Sequence, residues 1–199
     1  MIKFKKIKGN FVHNSAVIAW DKIQIGKGNV IGPNVIIGTD AQHPYLKSNG
    51  KIVIGNYNTF REFTTIHLPT TTKKITKIGN KCYFMTLSHI AHDCNIEDEV
   101  FFSNNVTLGG NTHVMKKSQL GFNVTVHQNQ VIGSFSMIGM SSVITKKTKV
   151  LPGYIFAGNP AKKISLNKIG MKKKNISKND IKKELLRYKL LIKEHQFYS

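Results

Sequence analysis

Large apolar residues recur at every sixth position through the middle of the chain: Ile54, Phe60, Ile66, Thr72, Ile78, Phe84, Ile90, Ile96, Phe102, Leu108, Val114, Leu120, Val126, Ile132, Ile138, Ile144 and Val150. Thr72 alone breaks the run. Four residues after most ladder positions stands a small or β-branched residue, as in Cys82, Ser88, Cys94, Val106, Thr112, Ser118, Ser136 and Ser142. A shorter ladder, Ile25-Gly26, Ile31-Gly32 and Ile37-Gly38, precedes it, out of register by one residue. A period of six matches neither a helix nor an open-ended two-residue alternation. It predicts an all-β solenoid, a parallel β-helix, in which each short strand turns one apolar residue inward and a small residue fills the corner, with glycine easing many turns. Three hexads make a triangular coil of 18 residues, and about seven coils stacked at roughly 4.8 Å span roughly 34 Å. A β-sandwich would not hold register over so many steps.

Two segments interrupt the lattice and are expected as loops, near residues 39–51 and 68–75. The first is rich in turn formers and the second covers the weak position Thr72. Loops on a rigid scaffold are where binding groups gather. After Val150 the pattern ends. The organisation expected is a β-helix domain over 1–157 and, over 158–199, a basic connector leading to a C-terminal helix. Ser177, Asn179 or Asp180 can cap that helix, and Ile181, Leu185, Tyr188 and Ile192 give it one apolar stripe, for its own β-helix or a neighbouring subunit.

Composition adds a strong charge bias. The 199 residues hold 30 Lys+Arg against 10 Asp+Glu, a formal net charge of +20. Residues 146–199 carry 15 of the basic and 3 of the acidic residues, so the excess forms a collar at one end. Polyanionic partners are implied: an acidic carrier protein, a polyphosphate ligand, an anionic membrane or nucleic acid. Nucleic acid is disfavoured, because lysine dominates and no recognition motif or aromatic-interleaved basic run appears. Cys82 and Cys94 match neither a disulfide framework nor a zinc spacing. With no leader-like run after the basic N-terminus and no apolar stretch of about 18 residues, a cytoplasmic protein without a transmembrane segment is expected.

The 18-residue coil turns sequence spacing into adjacency. His92 lies two places after Ile90 and Gly110 two places after Leu108, so they are expected one above the other, about 5 Å apart. His127 follows one coil further, with His89 and Asn111 flanking. A histidine there can deprotonate a hydroxyl or amine attacking an acyl group, and the glycine N–H can donate to the oxyanion. Asp93 can orient His92 if the chain bends, since neighbouring strand residues point to opposite faces. Solvated surface histidines remain an alternative at this point. So, more weakly, does a metal site, which lacks a carboxylate or thiolate triad.

The run His89-Ile-Ala-His-Asp-Cys94, with Asn104-Asn-Val-Thr-Leu-Gly-Gly110 and Val126-His-Gln128, resembles the UDP-N-acetylglucosamine O-acyltransferase family that begins lipid A synthesis. The similarity spans residues 52–175. It implies a left-handed β-helix acting as a homotrimer, with His92 as general base, Asp93 its partner and Gly110 the oxyanion donor. It also implies substrate contacts from His67 and His89, and a grip on the uridine nucleotide by Gln128, Asn167, Lys173 and Lys174. Gln42 matches a substrate-loop glutamine, but His43 stands where an aspartate is expected beside it. Leu68-Pro69 replace the family's Arg-Gly, Ile169 stands for a ribose-binding glutamate, and the ladder and the helical region are both shorter than the family's.

Met140 occupies the position that is glycine in members accepting long hydroxyacyl chains, so the resemblance implies a short acyl donor limited by Met140. The stretch Tyr154–Lys163 looks like the close of acetyl-CoA-dependent hexapeptide acetyltransferases. Two donors therefore stand, acyl carrier protein and acetyl-CoA, with no bound cofactor and no metal. The expected activity is transfer of an acyl group to a hydroxyl or amine of a UDP-linked amino sugar. The alternative is an acetyl-CoA-dependent nucleotide-sugar acetyltransferase of surface polysaccharide synthesis.

Overall fold

The computed structural model describes residues 3–71 and 73–196. The chain winds as a left-handed parallel β-helix whose three faces are sheets of ten, seven and six strands. Face I carries Phe60, Phe84, Phe102, Leu120 and Ile138; face II carries Ile66, Ile90, Leu108 and Val126; face III carries Ile54, Ile78, Ile96, Val114 and Ile132. Ladder residues pair across the 18-residue step, as in Ile78 with Ile96 and Ile90 with Leu108. All the described members from Ile54 to Val150 are buried on the axis. Phe60 and Phe84 stack on the axis with ring centroids 5.1 Å apart.

Through the middle of the chain glycine does not make the corners. Every sixth residue from Lys81 to Ser141, including Leu87, Asp93, Glu99, Asn111, Asn123 and Phe135, holds φ between 55° and 62°. Left-handed backbone is costly for residues with a side chain. It is held here because each corner amide is satisfied by the coil below, as in Asn111 N–H to His92 O at 2.9 Å and Asn129 N–H to Gly110 O at 2.9 Å. The glycines instead follow the inward residue, where the next coil presses close. A Cβ on Gly109 would lie 2.6 Å from the Gln128 nitrogen.

Two excursions leave the edge between faces II and III. The first runs between Ile36–Thr39 and Lys51–Ile54, so Ile25 pairs with Ile54. The second runs between Thr65–His67 and Ile75–Ile78; here Ile54 pairs with Ile78, one hexad more than the regular step. The looped-out hexad preserves the ladder's phase, which is why the sixfold period survives it. Thr72 itself lies outside the described residues. The excursions clasp each other through a Ser48–Thr70 bridge and the Asn49 N–H to Pro69 O bond at 3.0 Å.

The stretch after residue 158 is not a connector. Tyr154–Gly158 and Ala161–Leu166 form an antiparallel hairpin that extends face I, followed by α1 (Lys168–Lys173) and α2 (Lys178–Gln196). Ser177 and Asp180 cap α2 reciprocally: Asp180 N–H donates to Ser177 Oγ at 3.1 Å, and Ser177 N–H to Asp180 Oδ2 at 2.9 Å. Tyr188 buries against Met115 and Val131 on face III of its own chain. Ion pairs flank it, Lys116 with Glu184 at 2.8 Å and Arg187 with both Glu97 and Glu184.

Candidate active site at the edge between faces II and III

Ile90 ends a face II strand, and the chain must turn to enter face III at Asn95–Ile96. Asp93 makes that turn, with φ at 61°. The corner brings consecutive side chains to one side, which a straight strand forbids. His92 Nδ1–H therefore donates to Asp93 Oδ2 at 2.8 Å. Thr70, from the second excursion, donates twice to the same carboxylate, N–H to Oδ1 at 3.0 Å and Oγ1–H to Oδ2 at 2.7 Å. Burial works to raise the Asp93 pKa, but the bonds from His92 and Thr70 outweigh it and hold the carboxyl below its usual value. With Nδ1 committed to Asp93, the lone pair of a neutral His92 is on Nε2.

Gly110 lies directly above that nitrogen, one coil on. A Cβ on Gly110 would sit 2.5 Å from His92 Nε2. Among the described residues, no acceptor takes the Gly110 N–H. A base nitrogen and an uncommitted amide donor thus meet at one point, within a pocket of about 180 Å³ lined by His43, Lys73, Asn111, Gln128 and Asn129 among others. Burial lowers the pKa of Lys73. Gln128 stacks one coil beyond Gly110, as the 18-residue step requires.

His67 and His89 meet edge to face behind this pocket, ring centroids 4.8 Å apart. His89 Nδ1 is 2.8 Å from Thr65 Oγ1. Burial, with the nearby His89 and His92, pushes the His67 pKa down to about 4. Burial and His92 lower that of His89 too. His127 is exposed, its Nδ1–H on the Gln128 carbonyl at 2.9 Å, and it lines a neighbouring groove beneath α2 with Lys146, Lys149 and Tyr188. Gln42 is exposed beside His43 in the first excursion.

Other residues expected at the site stand elsewhere. Asn167 caps α1, accepting from Gly170 N–H at 3.1 Å and donating to Phe135 O at 3.0 Å. Lys174 donates to Lys117 O at 2.9 Å, and Lys173 is exposed on the last turn of α1. Met140 is 69% exposed on the edge between faces I and II, not on the edge that carries His92. Within one chain it cannot bound the His92 pocket. Sequence reasoning missed Thr70 and Lys73, and read His43 only as a departure from the family pattern. The sole signal for them was their place in the two lattice-breaking segments. Among the described residues, no group of three His, Cys, Asp or Glu is arranged to hold a metal ion.

The buried histidines predict acid lability. His67 and His195 have pKa values pushed down to about 4, chiefly by burial, whereas in the unfolded chain they titrate near 6.5. As pH falls from about 6.5 to 4 the unfolded state binds protons that the folded state refuses, so stability falls with pH. Below about 4.5 the carboxylates of Asp93 and Glu97, whose pKa values are lowered by their partners, add to the loss. Thermal melts should show a midpoint falling steadily between pH 7.5 and 4.5. A flat profile would show that these rings titrate normally.

No protein-family model matches the chain. It is similar to the acyl-[acyl-carrier-protein]–UDP-N-acetylglucosamine O-acyltransferase of Gloeothece citriformis, at 33% identity over 173 residues, covering 86% of this chain and 62% of that protein. The Synechocystis enzyme of the same name is 35% identical over 166 residues, covering 83% and 59%. The chain thus spans roughly three fifths of the length of these curated relatives. Among solved structures, LpxA of Bacteroides fragilis superposes with a TM-score of 0.80 at 27% identity, covering 92% of this chain and 71% of that one. LpxA of Acinetobacter baumannii gives 0.67 at 33%, covering 92% and 83%.

Proposed function

Because the chain belongs to the UDP-N-acetylglucosamine O-acyltransferase family, we propose that it moves an acyl group from the thioester of an acyl carrier protein to a hydroxyl of UDP-N-acetylglucosamine or a close UDP-amino sugar. The observation that carries the reading is the close approach of His92 Nε2 to Gly110 on the next coil. The sugar hydroxyl gives its proton to Nε2 as its oxygen attacks the thioester carbon. The carbonyl oxygen, now an oxyanion, accepts the Gly110 N–H. Collapse expels the thiolate of the carrier, which takes the proton back from the His92 imidazolium, leaving an ester and a free thiol. Asp93, held by Thr70, keeps the ring in its tautomer and stabilises the imidazolium.

Assembly as a homotrimer belongs to the same reading. Phe63 and Leu87 and, past the exposed Asn105, Phe122 and Met140 are exposed apolar residues on the edge between faces I and II. A second copy seated there would bring the His92 edge of one chain against the Met140 edge of the next. Only then could Met140 limit acyl length, favouring a short chain. Lys173 keeps an exposed charge for a phosphate, and the basic C-terminal quarter suits an acidic carrier protein. The test is a matrix of acyl carrier proteins with short and long hydroxyacyl chains, plus acetyl-CoA, against UDP-N-acetylglucosamine and other nucleotide sugars, with thiol release as the readout. Ester formation from a carrier-protein donor is expected. Turnover with acetyl-CoA alone would replace the donor, and no thiol release from any pair would reject the activity.

A further inference from the structure

His43 enters the pocket from the first excursion and lies edge to face against His92, ring centroids 5.5 Å apart. Its Nδ1 accepts the backbone N–H of Leu46 at 3.0 Å and, more weakly, that of Tyr45 at 3.3 Å. A nitrogen accepting an N–H cannot carry a proton, so the neutral ring bears its hydrogen on Nε2. The excursion holds the ring in place. Ala41 N–H donates to Ser48 Oγ at 2.7 Å, Ser48 bridges to Thr70, and Thr70 is itself bound to the carboxylate that orients His92. The two imidazoles are therefore mechanically linked and chemically opposite. His92 offers a lone pair, while His43 offers only an N–H.

The carboxylate nearest to them, Asp93, is already bound to His92 and Thr70, and Lys73 lines the same pocket. On this edge the wall facing a substrate is thus rich in donors.

We propose that His43 is a specificity-determining residue that donates its Nε2–H to an acceptor-only oxygen, an amide carbonyl, on the carbon flanking the hydroxyl that His92 deprotonates. The proposal rests on the nucleotide-sugar reading above and deepens it. Rings at this separation suit two substituents on adjacent sugar carbons, one giving a proton to His92 and the other accepting from His43. A free amine at the second carbon, in its ammonium form, presents only N–H donors to a ring with no lone pair left, and it is disfavoured.

Calorimetric binding of UDP-N-acetylglucosamine and UDP-glucosamine, without acyl donor, separates this from the transfer activity. Wild type is expected to bind the acetamido sugar about tenfold more tightly, the effect of one hydrogen bond lost with its partner left unpaired. His43→Ala should erase the difference, and His43→Gln, which restores a side-chain N–H, should recover most of it. His43→Glu, which substitutes an acceptor, should shift preference towards the amine. Tenfold discrimination that survives in His43→Ala, or a wild type that binds both sugars alike or neither, overturns the proposal. A wild type that discriminates and yet transfers no acyl group upholds His43 and overturns the activity.

Discussion

Replacing His92 with alanine should lower kcat by about 10²- to 10⁴-fold, the usual contribution of a positioned general base, with little change in the KM for the sugar. In the proposed reaction the ring accepts the hydroxyl proton only as the carbon–oxygen bond forms, so its loss is expected in the transition state rather than in binding. Folding should be spared. Asp93 keeps both hydrogen bonds from Thr70, and its own N–H still donates to Thr76 Oγ1 at 3.0 Å. Steady-state kinetics beside a thermal melt decide the matter. A variant that keeps more than half of wild-type kcat would remove His92 from the chemistry.

Gly110→Ala should be nearly as damaging to turnover while leaving the fold almost intact. The nearest heavy atoms to the added Cβ all belong to the His92 ring, Nε2 at 2.5 Å among them. The ring must swing away, and that movement breaks the 2.8 Å bond to Asp93 and separates the base from the amide donor. A loss of about 10²-fold or more in kcat follows from a misplaced base and a lost oxyanion contact. Gly109→Ala supplies the contrast from the adjacent residue. Its Cβ would meet backbone, the Gln128 nitrogen at 2.6 Å and Val126 O at 3.1 Å, which cannot rotate aside. Overpacking of that kind costs about 1–3 kcal/mol, so Gly109→Ala should melt several degrees lower. If Gly110→Ala kept wild-type kinetics, the oxyanion assignment would fall. Equal melting losses in the two variants would show that both glycines serve only packing.

Much of this site is legible in the residue pattern because the coil is periodic. Once each step is 18 residues, Ile90 must lie beside Leu108, and His92 and Gly110 follow without knowledge of any side-chain rotamer. The same arithmetic places Gln128 over Gly110. It also sets Met140, which the family resemblance alone assigned to the acyl pocket, on a different edge of the prism from His92. Met140 follows Ile138 on face I, whereas His92 follows Ile90 on face II, and a hexad is one face rather than one coil. His43, Thr70 and Lys73 could not be read this way, since the excursions obey no repeat and their return path depends on contacts between two loops. The hairpin of residues 154–166 was hidden for a related reason. Its strands pair antiparallel at the end of the stack, where no further coil imposes the hexad.

The coil, the buried ladder and the stacking of Gly110 on His92 were already written in the residue pattern, because each depends on a repeat that local residue types enforce. Long-range folding supplied the rest: Asp93 turns at φ 61° to face His92, Thr70 returns to hold it, and His43 arrives with its Nδ1 accepting the Leu46 N–H. Those outcomes depend on hydrogen bonds between segments far apart along the chain. No period specifies such bonds, and they exist only once the helix has closed and brought both excursions to one edge.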